Sequence, residues 1–157
     1  MTQQDPAAGA TRHQPPRPGD VAGFRVLAAV FVGGAVGTAL RLSLDAAAPH
    51  RDDAFPLSTL LINVAGSFAL GFLVARVWPF APAWVRVGLG PGLLGGFTTF
   101  SAVTVSLVAL TSAGLGVTAV VYLALTVTLG CASAAAGLVL GRRARPDHRP
   151  PHERPHA

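Results

Sequence analysis

Four side chains at the end of one glycine-rich stretch have the types and spacing to do chemistry. Thr98, Thr99, Phe100 and Ser101 follow the run GLGPGLLGGF (88–97), in the middle of an apolar block extending from Trp84 to Ala113. Gly88, Gly90, Pro91, Gly92, Gly95 and Gly96 fall within nine residues, and Pro91 removes a backbone donor. That concentration predicts a break in a membrane helix, freeing carbonyls from Gly95 to Thr98 beside the hydroxyls; such breaks are tolerated in hydrocarbon only where protein or a cavity surrounds them. A flexible helix packed closely through small residues is the plainer reading of the glycines. Thr59 and Asn63 stand four apart, hence on one helical face, as do Tyr122 and Thr126. An amide at Asn63 needs partners in hydrocarbon; it either ties two helices together or presents its NH₂ to a passing anion. The threonines of the last block are weaker indicators, because a threonine hydroxyl can bond back to its own helix. No Asp, Glu or Lys lies deep in these blocks to relay protons or neutralise a conducted cation. Asn63, Thr99, Ser101 and Thr126 can donate hydrogen bonds to a small anion, while freed carbonyls suit a hard cation such as Na⁺. One structure can therefore hold a cation at the break and pass an anion beside it.

The elements that must position these residues are membrane spans. The 157-residue chain is 51% hydrophobic and only 12% charged, about half the charge of an ordinary soluble domain, with a mean hydropathy of +0.51. Its apolar residues fall into four blocks, about 21–44, 55–78, 85–112 and 115–140, each long enough to cross roughly 30 Å of hydrocarbon. The expected fold is an all-α integral membrane protein with four transmembrane helices and a break in the third. A four-span chain this short is expected to oligomerise to enclose a pathway, and residues 21–141 form the one membrane domain.

Around that domain the sequence is simpler. Residues 1–20 and 142–157, rich in proline and arginine, read as disordered tails, and the first apolar block lacks the cleavage site of a signal peptide. Gly33 and Gly37 cut a flat strip into the first span, where another backbone can approach. Arg41 near its end either snorkels to headgroups or makes a polar contact at an interface. Asp45 to Ala54 reads as a solvated loop; the adjacent Asp52 and Asp53 lack further metal ligands. Trp78 and Trp84 flank Pro79 and Pro82 as an interfacial belt around a turn. Cys131 is the single cysteine, which excludes a disulfide framework, and it reads as a small packing residue. His148, His152 and His156 recur every four residues, but the prolines between them bar an aligning helix. No folded module supports nucleic-acid binding, and nothing outside the membrane is large enough to be a catalytic domain.

GGAVGTALR (33–41), PLSTLLINVAGSFALG (56–71) and GLLGGFTTFSA (92–102) resemble, in order and spacing, the Fluc/CrcB family of fluoride channels, and the likeness spans about Val26 to Gly141. The resemblance implies an antiparallel, dual-topology dimer with two narrow pores, exporting cytoplasmic fluoride passively and so conferring fluoride resistance. It implies a structural, untransported Na⁺ at the dimer centre, held by main-chain carbonyls of Gly95 and Thr98. It places Asn63, Thr59, Phe100, Tyr122 and Thr126 along the pore with Thr99 and Ser101, and it makes the ring edge of Phe100 a contact for fluoride, since aromatic edges carry the positive side of the quadrupole. Two departures stand out. Val103 occupies the place of a second pore phenylalanine and has no ring edge, whereas Thr126 replaces a serine and keeps its hydroxyl.

The alternatives to a channel are a non-conducting partner subunit or a small transporter of unknown substrate; a membrane enzyme fits least. With four spans, both tails and the turn between spans two and three share a side. That side carries Arg12, Arg17, Arg25, Arg76, Arg86, Arg142, Arg143, Arg145, Arg149 and Arg154, against Arg41 and Arg51 on the other. The imbalance predicts both termini in the cytoplasm. A fixed orientation favours a heterodimer with a paralogous four-helix subunit of opposite charge pattern over a homodimer, the remaining alternative.

Overall fold

The computed structural model describes residues 18–47 and 55–144, with side-chain surroundings from Gly23 onward in the first helix. The expected loop residues Arg51, Asp52 and Asp53 and the three tail histidines lie outside the described residues, as do the tail segments 1–17 and 145–157.

Helix α1 spans Pro18–Ala47, α2 Leu57–Arg76, α3 Ala83–Val87, α4 Gly95–Phe97, α5 Phe100–Ser112 and α6 Gly116–Arg143; a π-helical stretch, Gly88–Leu94, joins α3 to α4. Among the described residues there is no strand. Four spans are long and apolar enough to cross a bilayer: Gly23–Ala47, Leu57–Arg76, Ala83–Ser112 and Gly116–Arg143. The fold is therefore that of a multi-pass, all-α membrane protein whose third span is bent. Helix α1 begins inside the stretch read as a tail and runs on through Asp45, and α6 runs through Arg143. A hydrogen-bonded turn joins α5 to α6, with Gly114 at φ +77°, a left-handed conformation that glycine adopts without steric cost.

The glycine cluster does not itself break the third span. Gly88–Leu94 stays helical, with Pro91 inside it, because wider π-type bonding absorbs an irregularity that α-type bonding cannot. The interruption falls later, at Thr98 (φ −83°, ψ 148°) and Thr99 (φ −148°, ψ 123°), both extended. The glycines instead permit close approach. A Cβ at Gly33 would strike the Gly88 carbonyl and one at Gly37 the Leu93 carbonyl, while one at Gly96 would lie 2.6 Å from the Gly34 carbonyl. Thus α1 lies directly on the π-helical half of the third span.

The other half of the molecule is built on α2 and α6. A Cβ at Gly71 would meet the Ala134 carbonyl and one at Gly137 the Phe68 carbonyl, and Ser133 Oγ donates to the Val64 carbonyl at 3.0 Å. Helix α5 closes this pair. Leu60, Val103, Leu110, Ala119 and Tyr122 form the core between the three helices, with Phe55, Val64 and Leu107 packed against it. Most remaining apolar side chains, such as Phe31 and Val117, face outward, as the lipid-facing surface of a membrane bundle must.

Candidate functional site

The bend is held by a side chain from another span. Asn63, midway along α2, donates from Nδ2 to the Thr99 carbonyl at 3.1 Å and accepts the Thr99 N–H on Oδ1 at 2.9 Å. One carboxamide thus satisfies both backbone groups of an extended residue, as a neighbouring strand would. In hydrocarbon this matters, because water is not there to take an orphaned peptide group. The Thr99 hydroxyl caps α5 by accepting from Ala102 N at 3.2 Å, and pairs with Ser101 Oγ at 2.8 Å. Thr98 turns the other way: its N–H and its hydroxyl both reach the Leu94 carbonyl at 2.8 Å.

Beside this bend lies an open groove of about 330 Å³. Asn63 and Ser67 of α2, Thr98, Thr99 and Phe100 of the bend, and Thr126 of α6 line it, with Val103 and Cys131 also on its wall. Phe100 is 73% exposed, so most of its surface is left open by the described residues, whereas Val103 is 1% exposed and belongs to the core. Cys131, expected to pack among alanines, is exposed.

Tyr122 and Thr59 sit deeper. Tyr122 is fully buried and Thr59 is 4% exposed. The hydroxyls of Tyr122 and Thr126 are buried without a hydrogen bond of good geometry, although Thr59, Ser106 and Thr126 all lie beside the Tyr122 hydroxyl. Thr104, Thr111 and Thr128, in contrast, bond back to their own helices at 3.1, 2.7 and 2.7 Å. The residues singled out in the sequence are thereby split. Asn63, Thr99, Phe100, Val103 and Thr126 meet at the groove; Ser101 reaches it through Thr99; Thr59 and Tyr122 lie in the buried cluster beside it.

Gly33 and Gly37 stand away from the groove, in the contact between α1 and the π-helical stretch. Arg41 is also distant. It lies one turn before Asp45, 4.0 Å from its carboxylate, and Ser58 Oγ donates to that carboxylate at 3.1 Å. Asp45 was expected in a loop and is instead part of α1, linking that helix to the start of α2. Sequence reasoning missed Ser106, Ser133 and Phe55. Phe55 had a readable signal, because Phe55, Thr59 and Asn63 recur every four residues. Trp78, expected at the membrane interface, lies over the π-helical stretch, so that a Cβ at Gly90 would be 2.9 Å from its ring.

The Na⁺ expected at the carbonyls of Gly95 and Thr98 is corrected. Among the described residues no group of three or more His, Cys, Asp or Glu side chains is placed to hold a metal ion. Among the described residues no charged side chain is buried, so no buried charge marks an ion site there. The backbone carbonyls of Leu94 and Thr99, on either side of the bend, accept hydrogen bonds from within the chain.

Comparison with known proteins agrees with this architecture. The family model described as "CrcB-like protein, Camphor Resistance (CrcB)" matches residues 28–138. A fluoride-specific ion channel, FluC, of Deinococcus radiodurans is 46% identical over 118 residues, covering 71% of this chain and 91% of that protein. FluC 1 of Mycobacterium tuberculosis is 37% identical over 124 residues, covering 78% and 94%. FluC 2 of Leifsonia xyli subsp. xyli is 41% identical over 125 residues, covering 74% and 83%.

Proposed function

The chain belongs to the CrcB/FluC family of fluoride channels, and from that premise we propose that it is a subunit of a channel passing fluoride down its gradient out of the cytoplasm. Channels of this family are not enzymes, and the work of this chain is passage and not bond-making. Weakly acidic HF enters a cell, dissociates at neutral pH, and leaves F⁻ that must cross the membrane as an ion; its export confers fluoride resistance.

The observation that carries the proposal is the Asn63–Thr99 clamp beside an open, polar-edged groove. A strongly hydrated small anion needs replacement donors when it sheds water. Along this groove the hydroxyls of Ser101 and Thr99 and the second N–H of Asn63 can supply them, Phe100 offers a ring edge, and the Thr126 hydroxyl lies buried behind the wall. Thr59 and Tyr122 continue the row of hydroxyls into the core. Among the described residues no carboxylate lines the groove itself; the nearest charge of that sign felt at Tyr122 is that of Asp45, which Arg41 and Ser58 hold.

A second four-helix subunit covers the groove in this reading. The exposure of Phe100 and the openness of the groove support it, since an anion path along a single chain would run against lipid. The arginines of the described helices favour a partner of different sequence. Arg25, Arg76, Arg86, Arg142 and Arg143 lie at the helix ends sharing one side, and Arg41 lies toward the other. An identical antiparallel copy would invert that pattern against the charge rule.

The test is efflux from liposomes loaded with fluoride or chloride. Protein purified alone, and with a paralogous subunit, is followed with an ion-selective electrode. Fluoride release without chloride release, and without a coupled gradient, is the expected result. Chloride release at an equal rate, or release only when a second gradient is imposed, would place the chain among other channels or small transporters. Fluoride release only with the paralogue would make this chain the partner subunit of a heteromeric channel.

A further inference from the structure

One aromatic contact beside the groove is left without a role. Phe55, two residues before α2 begins, packs on the core cluster that contains both Val103 and Tyr122. Its ring stands edge-on to Tyr122, with centroids 5.5 Å apart and planes at 89°. Such a contact is directional: the positive edge of one ring meets the negative face of the other, and the attraction falls when either ring turns. Tyr122 needs an orienting contact of this kind. Its hydroxyl is buried beside Thr59, Ser106 and Thr126 yet makes no hydrogen bond of good geometry, so hydrogen bonding does not fix where it points. The core residues around it, Leu60, Val103, Leu110 and Ala119, are aliphatic. They confine the ring by packing but have no directional attraction for its edge or face.

We propose that Phe55 is a positioning residue for fluoride passage, which sets the ring plane of Tyr122 and thereby the direction in which its hydroxyl, held near that plane by conjugation, offers its proton to the ion path. The contact supplies, from the segment leading into α2, an aromatic partner that Val103 of α5 does not. This inference rests on the channel reading above, with Tyr122 on the path. Phe55 itself touches no ion; it acts through Tyr122.

A double-mutant cycle tests it in the same liposome assay, on the full chain with its partner subunit where one is required. Phe55→Leu keeps apolar volume and removes the quadrupole. It is expected to slow fluoride efflux about three- to tenfold, the rate equivalent of one aromatic pair, and to lower the fluoride-to-chloride ratio. Phe55→Trp keeps a ring and is expected to stay within about twofold of the unaltered protein. In a Tyr122→Phe background, where the hydroxyl is already gone, Phe55→Leu is expected to cause no further loss, because the two residues act as one unit. Should the leucine variant not assemble, Phe55→Met takes its place and must show the same loss. Unchanged rate and selectivity in a well-assembled leucine or methionine variant would overturn the proposal, as would losses that multiply in the double variant. Fluoride efflux absent from the unaltered protein would instead overturn the channel reading, and this inference with it.

Discussion

At the scale of the residue, Asn63 fills one of the two roles that its sequence position left open, and the proposed channel gives it the other. Its carboxamide spends one N–H and its oxygen on the backbone of Thr99, which is helix glue, and retains a second N–H that can face the groove. Asn63→Ala removes both bonds and leaves the Thr99 peptide groups unpaired, a cost of about 1–3 kcal/mol each where water is excluded. Asn63→Asp keeps an acceptor for the Thr99 N–H, opposes the Thr99 carbonyl with a second acceptor, and adds negative charge beside an anion path. Both variants are expected to lose at least about tenfold in fluoride efflux, and the alanine variant also to unfold at lower temperature in detergent. Near-normal efflux from assembled Asn63→Asp protein would confine the residue to a structural role. Asn63 was legible because an amide in hydrocarbon must find partners. Its partner was not legible, since the contact bridges 36 positions in sequence and no local spacing encodes it. Threonine periodicity was similarly mute: only packing distinguishes Thr126, whose hydroxyl makes no bond of good geometry, from Thr128, which bonds back to Ala124.

At the scale of the element, the four spans follow from hydropathy and length alone, and the observed helices overlap every expected block. The break expected in the glycine-rich stretch of the third span is there, and its extended residues are Thr98 and Thr99 at the end of that stretch and not the glycines before them. Composition could not separate the two places, because glycine both weakens a helix and admits a neighbour, and here the second effect prevails. The consequence is measurable. Gly37→Ala would drive a methyl into the Leu93 carbonyl, and Gly33→Ala one into that of Gly88. Backbone cannot yield as a flexible side chain does, so each is expected to cost about 1–3 kcal/mol, read as a lowered unfolding temperature. Gly23→Ala, with nothing within 4 Å of its added methyl, is the matched control and is expected to be neutral or slightly stabilising. Equal effects at Gly23 and Gly37 would contradict the close seating of α1 on the π-helical stretch.

At the scale of the whole molecule, the arginine distribution predicts one orientation, with both ends of the membrane domain in the cytoplasm. Single cysteines placed in the 79–83 turn and near Gly114, in a Cys131→Ala background because Cys131 is itself exposed, report this directly. The turn is expected to react only from the cytoplasmic side and the Gly114 position only from the other; equal reaction from both sides would restore an antiparallel homodimer. The cover proposed for the groove was not readable in the residues that line it, because a subunit interface would leave only exposed rings such as Phe100 as its mark. The most direct test of the central claim remains ion efflux from liposomes holding this protein, alone and with a paralogous four-helix subunit. Rapid release of fluoride with chloride retained, in at least one of the two preparations, is the outcome expected of a fluoride channel subunit. Fluoride release no faster than from protein-free liposomes in both preparations would contradict it.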